Sequence, residues 1–308
     1  MAEWRSMMNS NRYPRRIIGV VMATAILGFA GCGDRDHEAA RDAPIVIGWT
    51  AWDDAEFVTR LARRIIEDHT DHPVQLKLAG IEKQYRGVAS GRLDAMLVAW
   101  LPDTHARYWK RYRDRLVDLG PLYEGGRLGW IVPDYVPRAR VNRIADLADP
   151  TVAQRMGHRI QGIDPGAGLM QLSHEALQAY GLSGEYRLAK ADAHIMARAL
   201  AHAESDHQWI VVTGWTPHWI FAKWRLRFLS DPKNALGSSQ HVDAIVRDGF
   251  RRDYPKVANI LSAMHLSLAE LQAGMFDAQQ HGYPTAIDHF VATHHAEIAS
   301  WVAAGRHR

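Results

Sequence analysis

The sequence predicts an α/β protein of two lobes with a largely parallel sheet. Short apolar runs alternate with amphipathic segments over residues 45–100 and again over residues 159–213. Strands that alternate with helices in this way are typical of parallel sheets covered by helices. Pro133 and Pro137 interrupt the chain between the two stretches, so we place a lobe boundary there.

In the first unit, apolar runs predict strands and the segments between them predict helices. Val58, Leu61, Ala62 and Ile65 recur at steps of three and four residues, the period of an amphipathic helix. The order of predicted elements is a strand at 45–48, a helix around 58–65, a strand at 74–78, a helix at 85–90, and strands at 94–100 and 128–133.

The second unit repeats this alternation, and the chain then returns to the first. The predicted elements are a strand at 159–163, helices at 169–180 and 193–203, and a strand at 209–213. Strand-like alternation follows at 221–232, and the last seventy residues are expected to be helical. The simplest path crosses twice between lobes, with residues 44–132 and 222–308 in the first lobe and residues 133–221 in the second.

The first 31 residues predict a secretory signal sequence. Arg12, Arg15 and Arg16 precede an uncharged run at 17–30, which is shorter than the roughly twenty residues that span a bilayer. The segment FAGC, which ends at Cys32, resembles the lipobox of bacterial lipoproteins, although Phe29 stands where leucine is usual. The resemblance implies lipidation of Cys32; the alternatives are an ordinary signal peptide or an uncleaved anchor. All three place the rest of the chain in the periplasm or on the outer face of the cytoplasmic membrane.

Residues 32–43 predict a polar tether, and composition excludes several classes of protein. Cys32 is the only cysteine, so the folded part is expected to have no disulfides. The 37 basic and 34 acidic residues are scattered along the chain, which argues against nucleic acid binding. The 17 histidines lack ligand spacing, and neither HExxH nor GxSxG occurs. We therefore expect no metal, no cofactor and no catalytic site.

The glycine-rich turn at 162–168 joins a predicted strand to a predicted helix. Its backbone N–H groups suit an anion, but the turn lacks the Lys-Ser/Thr of a P-loop. A tight connection that needs glycine explains the same residues. The sequence leaves both interpretations open.

Three tryptophans, Trp52, Trp100 and Trp215, stand where predicted strands end, each followed closely by Asp or Pro. Open α/β sheets bind ligands at this carboxyl edge. Several aromatic faces suit a quaternary ammonium ion, which has no N–H to donate, and each desolvated contact contributes on the order of 2 kcal/mol. Three faces would supply roughly 6 of the 8 kcal/mol that a micromolar Kd requires.

One polar contact would supply the remainder, and two candidates follow Trp52. Backbone N–H groups at the predicted helix start, around Ala55, would bind the carboxylate of a betaine. The Asp54 side chain would accept a hydrogen bond from the hydroxyl of choline. The two options point to different ligands.

Five segments of the chain carry a family resemblance: TAWDDAEFVT, ASGRLDAMLVAWLPDTHARYW, LVDLGPLYEG, GIDPGAG and VVTGWTPHWIFAK. They resemble the glycine betaine binding proteins of ATP-driven osmoprotectant importers, a family that includes choline and proline betaine receptors. The resemblance implies a type II-like periplasmic binding protein fold, a ligand held between two lobes, no catalysis, and delivery to a membrane permease. We expect a monomer. A choline or carnitine receptor, or an extracytoplasmic sensor, is the alternative.

The resemblance also implies site residues. Trp100 and Trp215 match cage tryptophans of the family, and the turn from Trp52 to Ala55 matches the segment that engages the polar end of the ligand. Some betaine receptors complete the cage with a C-terminal aromatic residue, but this chain has none around positions 265–266. We expect Trp52 to supply the third wall, with Tyr123 as the other candidate. His218 either contacts a ligand carboxylate or packs at the hinge.

Overall fold

The computed structural model describes residues 43–305. The predicted signal sequence, Cys32 and the tether up to residue 42 lie outside the described residues. Within the described range, no helix combines the length and the apolar character needed to cross a membrane.

The first α/β unit follows the predicted order of strands and helices. The α1 helix buries Phe57, Leu61 and Ile65 in the core and carries three acidic residues in its first turn, where the helix dipole favours negative charge. The elements are β1 (Ile45–Trp49), α1 (Asp53–His69), β2 (Val74–Leu78), α2 (Ile81–Ala89), β3 (Ala95–Leu101), α3 (Ala106–Tyr112) and β4 (Leu116–Pro133).

The second unit contains the predicted strands and helices together with short elements that were not predicted. It comprises α4 (Pro150–Arg155), β5 (Arg159–Gln161), α5 (Gly168–Ala179), β6 (Arg187–Ala189), α6 (Ala193–Asp206), β7 (Val211–Thr216), α7 (Ile220–Lys223) and β8 (Leu226–Phe228).

The C-terminal part is helical except at its start. The expectation that the last seventy residues are helical is wrong for β9 (Gln240–Arg247), which lies in the centre of the sheet. The helices are α8 (Phe250–Asp253), α9 (Pro255–Ala263), α10 (Leu268–His281), α11 (Tyr283–Thr293) and α12 (His295–Ala304).

The strands form one continuous sheet in the order β2-β1-β3-β9-β4-β7-β5-β6, with β8 also paired to β4. Pairing is parallel among β1, β2 and β3 and among β5, β6 and β7. It is antiparallel wherever β4 or β9 takes part. The expectation of a largely parallel sheet is therefore wrong at the centre, because β9 returns between the two units.

The long strand β4 belongs to both halves of the sheet. Its residues 116–126 pair with β9, and its residues 127–133 pair with β7 and β8. We call the strands on the β9 side the first half and those on the β7 side the second half. The chain thus changes halves near Gly126 and returns between Phe228 and Gln240. The lobe boundaries at 133 and 222 remain a prediction.

Candidate functional site

The three tryptophans meet at one cavity. Trp100 lies near the carboxyl end of β3 and Trp215 near that of β7, while Trp52 is the residue before α1, just after β1. All three line the wall of this cavity. Each ring is almost fully buried, with Trp52 the most exposed at 6%. The carboxyl edges of both halves therefore bring the predicted aromatic faces together.

The cavity wall is completed by small and apolar residues from both halves of the sheet. Thr104, after β3, faces the first turn of α5. The lining residues besides the tryptophans are Thr104, Leu128, Ile163, Ala167, Gly168 and Leu169. No lining residue has a charged side chain. The wall therefore favours a ligand group that packs against apolar and aromatic side chains over a strongly hydrated group.

A buried carboxylate, Asp54, holds two of the rings in place. Its Oδ1 accepts a hydrogen bond from Nε1 of Trp215 at 3.0 Å, and its Oδ2 accepts one from Nε1 of Trp100 at 3.3 Å. The Tyr123 hydroxyl donates to the same Oδ2 at 2.7 Å. Asp54 has no exposed surface. Three donors from distant parts of the chain thus converge on one carboxylate.

The protonation of Asp54 reflects opposing effects. Burial raises its pKa above the usual range, and the hydrogen bonds from Tyr123, Trp215 and Trp100 oppose that rise. When ionised, this carboxylate adds negative charge beside the Nε1 edges of both indoles. Hydrogen bonding to it polarises the indole groups, and a cation in the cavity would be stabilised by both the rings and the charge.

Tyr123 and Ala55 lie behind the wall instead of on it. The Tyr123 ring packs edge-on against Trp100, with 6.0 Å between ring centroids, and Tyr123 does not line the cavity. Ala55 is buried and also stays outside the lining. Trp52 is the third aromatic wall in this geometry. At position 126 only glycine fits behind Trp100, because an added Cβ would lie 2.7 Å from its Cζ3 atom.

Trp52 connects the two halves of the sheet through Asp164, a contact that sequence patterns could not predict. The indole Nε1 donates to Asp164 Oδ2 at 2.8 Å. Asp164 belongs to the glycine-rich turn at 162–168, whose last residues continue into α5. Gly168 and Leu169, in the first turn of α5, line the cavity, and N–H groups in a first helical turn have no intrahelical acceptor. The turn is thus part of the cavity wall.

His218 supports the site from behind. It is fully buried, packs edge-on against the Trp215 ring at 4.5 Å between centroids, and does not line the cavity. Its Nδ1 accepts the Ile220 N–H, so Nε2 carries the hydrogen and faces Asp53 Oδ2 at 3.5 Å, longer than a hydrogen bond. Burial lowers the pKa of His218 to about 3. Of the two alternatives for His218, a neutral imidazole outside the cavity lining agrees better with packing at the hinge than with contact to a ligand carboxylate.

Asp53, the first residue of α1, has hydrogen-bond partners in the C-terminal helices. Its Oδ1 accepts hydrogen bonds from Gln279 at 2.9 Å and from the Tyr283 hydroxyl at 3.3 Å. Burial is the main reason that the pKa of Asp53 rises to about 6, and the neighbouring Asp54 also raises it. Asp53 and Asp54 therefore have different hydrogen-bond partners. Only Asp54 is bonded to tryptophans that line the cavity.

Comparison with known proteins identifies relatives over most of the described chain. Residues 43–293 match the family model for the substrate-binding domain of ABC-type glycine betaine transport systems. The glycine betaine/carnitine transport binding protein GbuC of Listeria monocytogenes is 31% identical over 156 residues. That alignment covers 50% of this chain and 52% of GbuC, so the chain spans about half the length of this curated relative in the match.

Solved structures give the same relationship with fuller coverage. Lactococcal OpuAC, in its closed conformation with glycine betaine, is 30% identical and has a TM-score of 0.78, covering 85% of this chain and all of its own. The glycine betaine, L-proline-binding protein ProX of Borrelia burgdorferi is 26% identical with a TM-score of 0.79, covering 86% of this chain and 99% of its own. These likenesses confirm the two-lobed periplasmic binding protein fold expected from the sequence.

Proposed function

Because the chain belongs to the family of substrate-binding domains of ABC-type glycine betaine transport systems, we propose that it captures a quaternary ammonium osmolyte between its lobes. The family is one of transport binding proteins and not of enzymes, as the sequence predicts. Glycine betaine is the first candidate ligand. The matched family serves glycine betaine transport, GbuC is a glycine betaine/carnitine binding protein, and OpuAC was solved in complex with glycine betaine. An extracytoplasmic location, a lipid anchor at Cys32 and delivery to a membrane permease complete the proposal.

The observation that carries the proposal is the convergence of three indole rings on one uncharged cavity backed by a carboxylate. Trp52, Trp100 and Trp215 line it, and Asp54 accepts hydrogen bonds from the last two. A trimethylammonium group has no N–H and is recognised through cation–π contacts and buried negative charge. A neutral apolar ligand would gain nothing from the buried carboxylate, whose desolvation is costly without a compensating charge.

The polar end of the ligand has two candidate partners. The first turn of α5, at Gly168 and Leu169, would offer N–H groups to the carboxylate of a betaine. Asp164 holds Trp52 but does not line the cavity, so it would have to turn its second oxygen inward to accept the hydroxyl of choline. Choline is the second candidate ligand because Asp54 adds negative charge near the cavity while no lining residue is basic.

A calorimetric titration panel tests the proposal. Purified full chain would be titrated with glycine betaine, proline betaine, choline and carnitine under the same conditions. We expect at least one of these to bind with a Kd in the micromolar range or tighter, as the contact energies indicate. A chain that binds none of them, or binds unmethylated glycine equally well, would contradict a trimethylammonium site.

Affinity for choline is expected to fall as pH falls from 8 to 5. Burial raises the pKa of Asp54, so its carboxylate takes up a proton at higher pH than an exposed aspartate does. The protonated form carries no charge to attract the cation, and binding of the cation in turn favours the ionised form. Calorimetry in buffers of different ionisation enthalpy should also detect proton release on binding. Choline is the probe because it has no carboxyl group.

The neighbouring groups define the control for this pH dependence. His218 stays neutral over the range, since its pKa is about 3. Asp53 titrates nearby, with a pKa of about 6, so Asp53→Asn should retain the pH dependence if Asp54 causes it. An affinity that is constant from pH 8 to 5, or a dependence lost in Asp53→Asn, would overturn the assignment to Asp54.

Gly168→Ala is expected to prevent full closure of the cavity. A Cβ at this position would lie 2.2 Å from the carbonyl oxygen of Thr104 and 2.6 Å from its Cγ2, across the two halves of the sheet. Overpacking costs about 1–3 kcal/mol, so we expect ligand affinity to fall roughly 5- to 150-fold. Gly166→Ala is the matched control, because its Cβ would meet no atom within 4 Å. Equal affinities of the two variants in calorimetry would show that the contact of Gly168 with Thr104 does not limit closure of the cavity.

A further inference from the structure

Three side chains with metal-binding atoms meet among the C-terminal helices, and none of them lines the tryptophan cavity. Glu270 lies in the first turn of α10, His294 is the residue before α12, and Glu297 lies in the first turn of α12. One oxygen or nitrogen from each lies within 4.8 Å of the other two. His294 Nε2 is 3.8 Å from Glu270 Oε1. All three side chains are partly buried.

The His294 ring is held with its Nε2 lone pair available. The ring stacks on Phe290, with 3.9 Å between centroids and 8° between planes. Its Nδ1 lies 3.0 Å from the Phe290 carbonyl oxygen, which can only accept a hydrogen bond. Thr293 Oγ1, 2.9 Å from Nδ1, itself donates to the His289 carbonyl. Nδ1 therefore carries the hydrogen, the arrangement that usually orients a metal-ligating histidine.

The two carboxylates add a reason for a cation to bind. Within the described part of the chain, the Glu297 carboxylate has no hydrogen-bond donor of its own, whereas Glu270 Oε2 accepts the Ser267 N–H. The two carboxylates lie close enough to repel each other when both are ionised. A divalent cation between the two would relieve this repulsion.

We propose that Glu270, His294 and Glu297 bind a divalent transition-metal ion such as Zn²⁺. Imidazole and carboxylate ligands suit this class of ion. Zinc bonds of about 2.0–2.2 Å place tetrahedral ligands roughly 3.3–3.5 Å apart, so the 3.8 Å separation of His294 and Glu270 needs only a small side-chain rotation. The ion would fasten α10 to the junction of α11 and α12. The histidine spacing in the sequence gives no sign of this site, because its ligands come together only in the fold.

Calorimetric titration of the full chain with Zn²⁺ tests the site. We expect Glu297→Gln and His294→Gln each to weaken binding of one Zn²⁺ per chain by at least about tenfold. Zinc should also raise the melting temperature of the parent but not of these variants. Glu185→Gln is the matched control, because Glu185 faces one exposed histidine, His158, at 2.9 Å. The proposal fails if the parent does not bind Zn²⁺, or if Glu297→Gln and His294→Gln bind it as the parent does.

Discussion

Replacing Asp54 by asparagine is expected to weaken quaternary ammonium binding by about 2–5 kcal/mol, the range for losing one member of a buried charge pair. The carboxylate accepts hydrogen bonds at the N–H edges of the Trp100 and Trp215 rings, close to the faces that would contact the cation. Asparagine removes the charge and also turns an N–H₂ group toward one of three converging donors. The rings would lose both their orientation and their polarisation.

Tyr123→Phe provides the matched comparison for Asp54→Asn. It removes one of the donors to Asp54 and leaves the charge and both indole contacts in place. We expect a smaller loss of affinity than in Asp54→Asn when both are measured by calorimetry. A thermal melt of each variant separates weak binding from unfolding. An Asp54→Asn variant that is folded and binds like the parent would show that the buried charge has no part in recognition.

Trp100→Leu and Trp215→Leu are each expected to weaken binding by about 2 kcal/mol or more. Leucine keeps an apolar side chain at the cavity but removes the π face that attracts the cation. Trp100→Phe and Trp215→Phe should retain more affinity than the leucine variants, since they keep an aromatic face and lose only the N–H to Asp54. Calorimetric titration of all four variants gives the comparison.

Trp209→Leu is the control for a general effect of losing tryptophan. Trp209 lies just before β7, and the Arg155 guanidinium stacks over its ring. Trp209 does not line the cavity. Its replacement should leave ligand affinity close to that of the parent. If the leucine variants at positions 100 and 215 also bind with parental affinity, the three-ring site is assigned wrongly.

Sequence patterns predict elements well where the neighbours in the sheet are close in the chain. The strand at 74–78 has the predicted bounds, because residues of alternating polarity mark a strand with one buried face. The central strand β9 was missed because most of its residues are buried on both faces, which removes the alternation. The first part of β4 received no assignment, because Pro121 and several glycines interrupt the strand pattern where the register shifts.

Sequence patterns likewise predict some residues of the candidate site and not others. Trp52, Trp100 and Trp215 could be chosen from their positions at strand ends, since the carboxyl edge of an α/β sheet follows from the order of elements. The pairing of Asp54 with rings from β3 and β7 could not, because it depends on how distant segments meet. The same holds for Gly168, whose close approach to Thr104 exists only across the two halves.

A paired titration separates recognition of a cation held against indole rings from recognition of shape alone. Whichever of glycine betaine and choline binds more tightly would be compared with its tert-butyl analogue, in which carbon replaces the ammonium nitrogen. The two molecules share shape and polar end but differ in charge. We expect the analogue to bind more weakly by at least about 2 kcal/mol, the contribution of one desolvated cation–π contact. Equal affinity would show that the cavity selects a bulky apolar group by shape, which would contradict recognition of a cation by the indole rings.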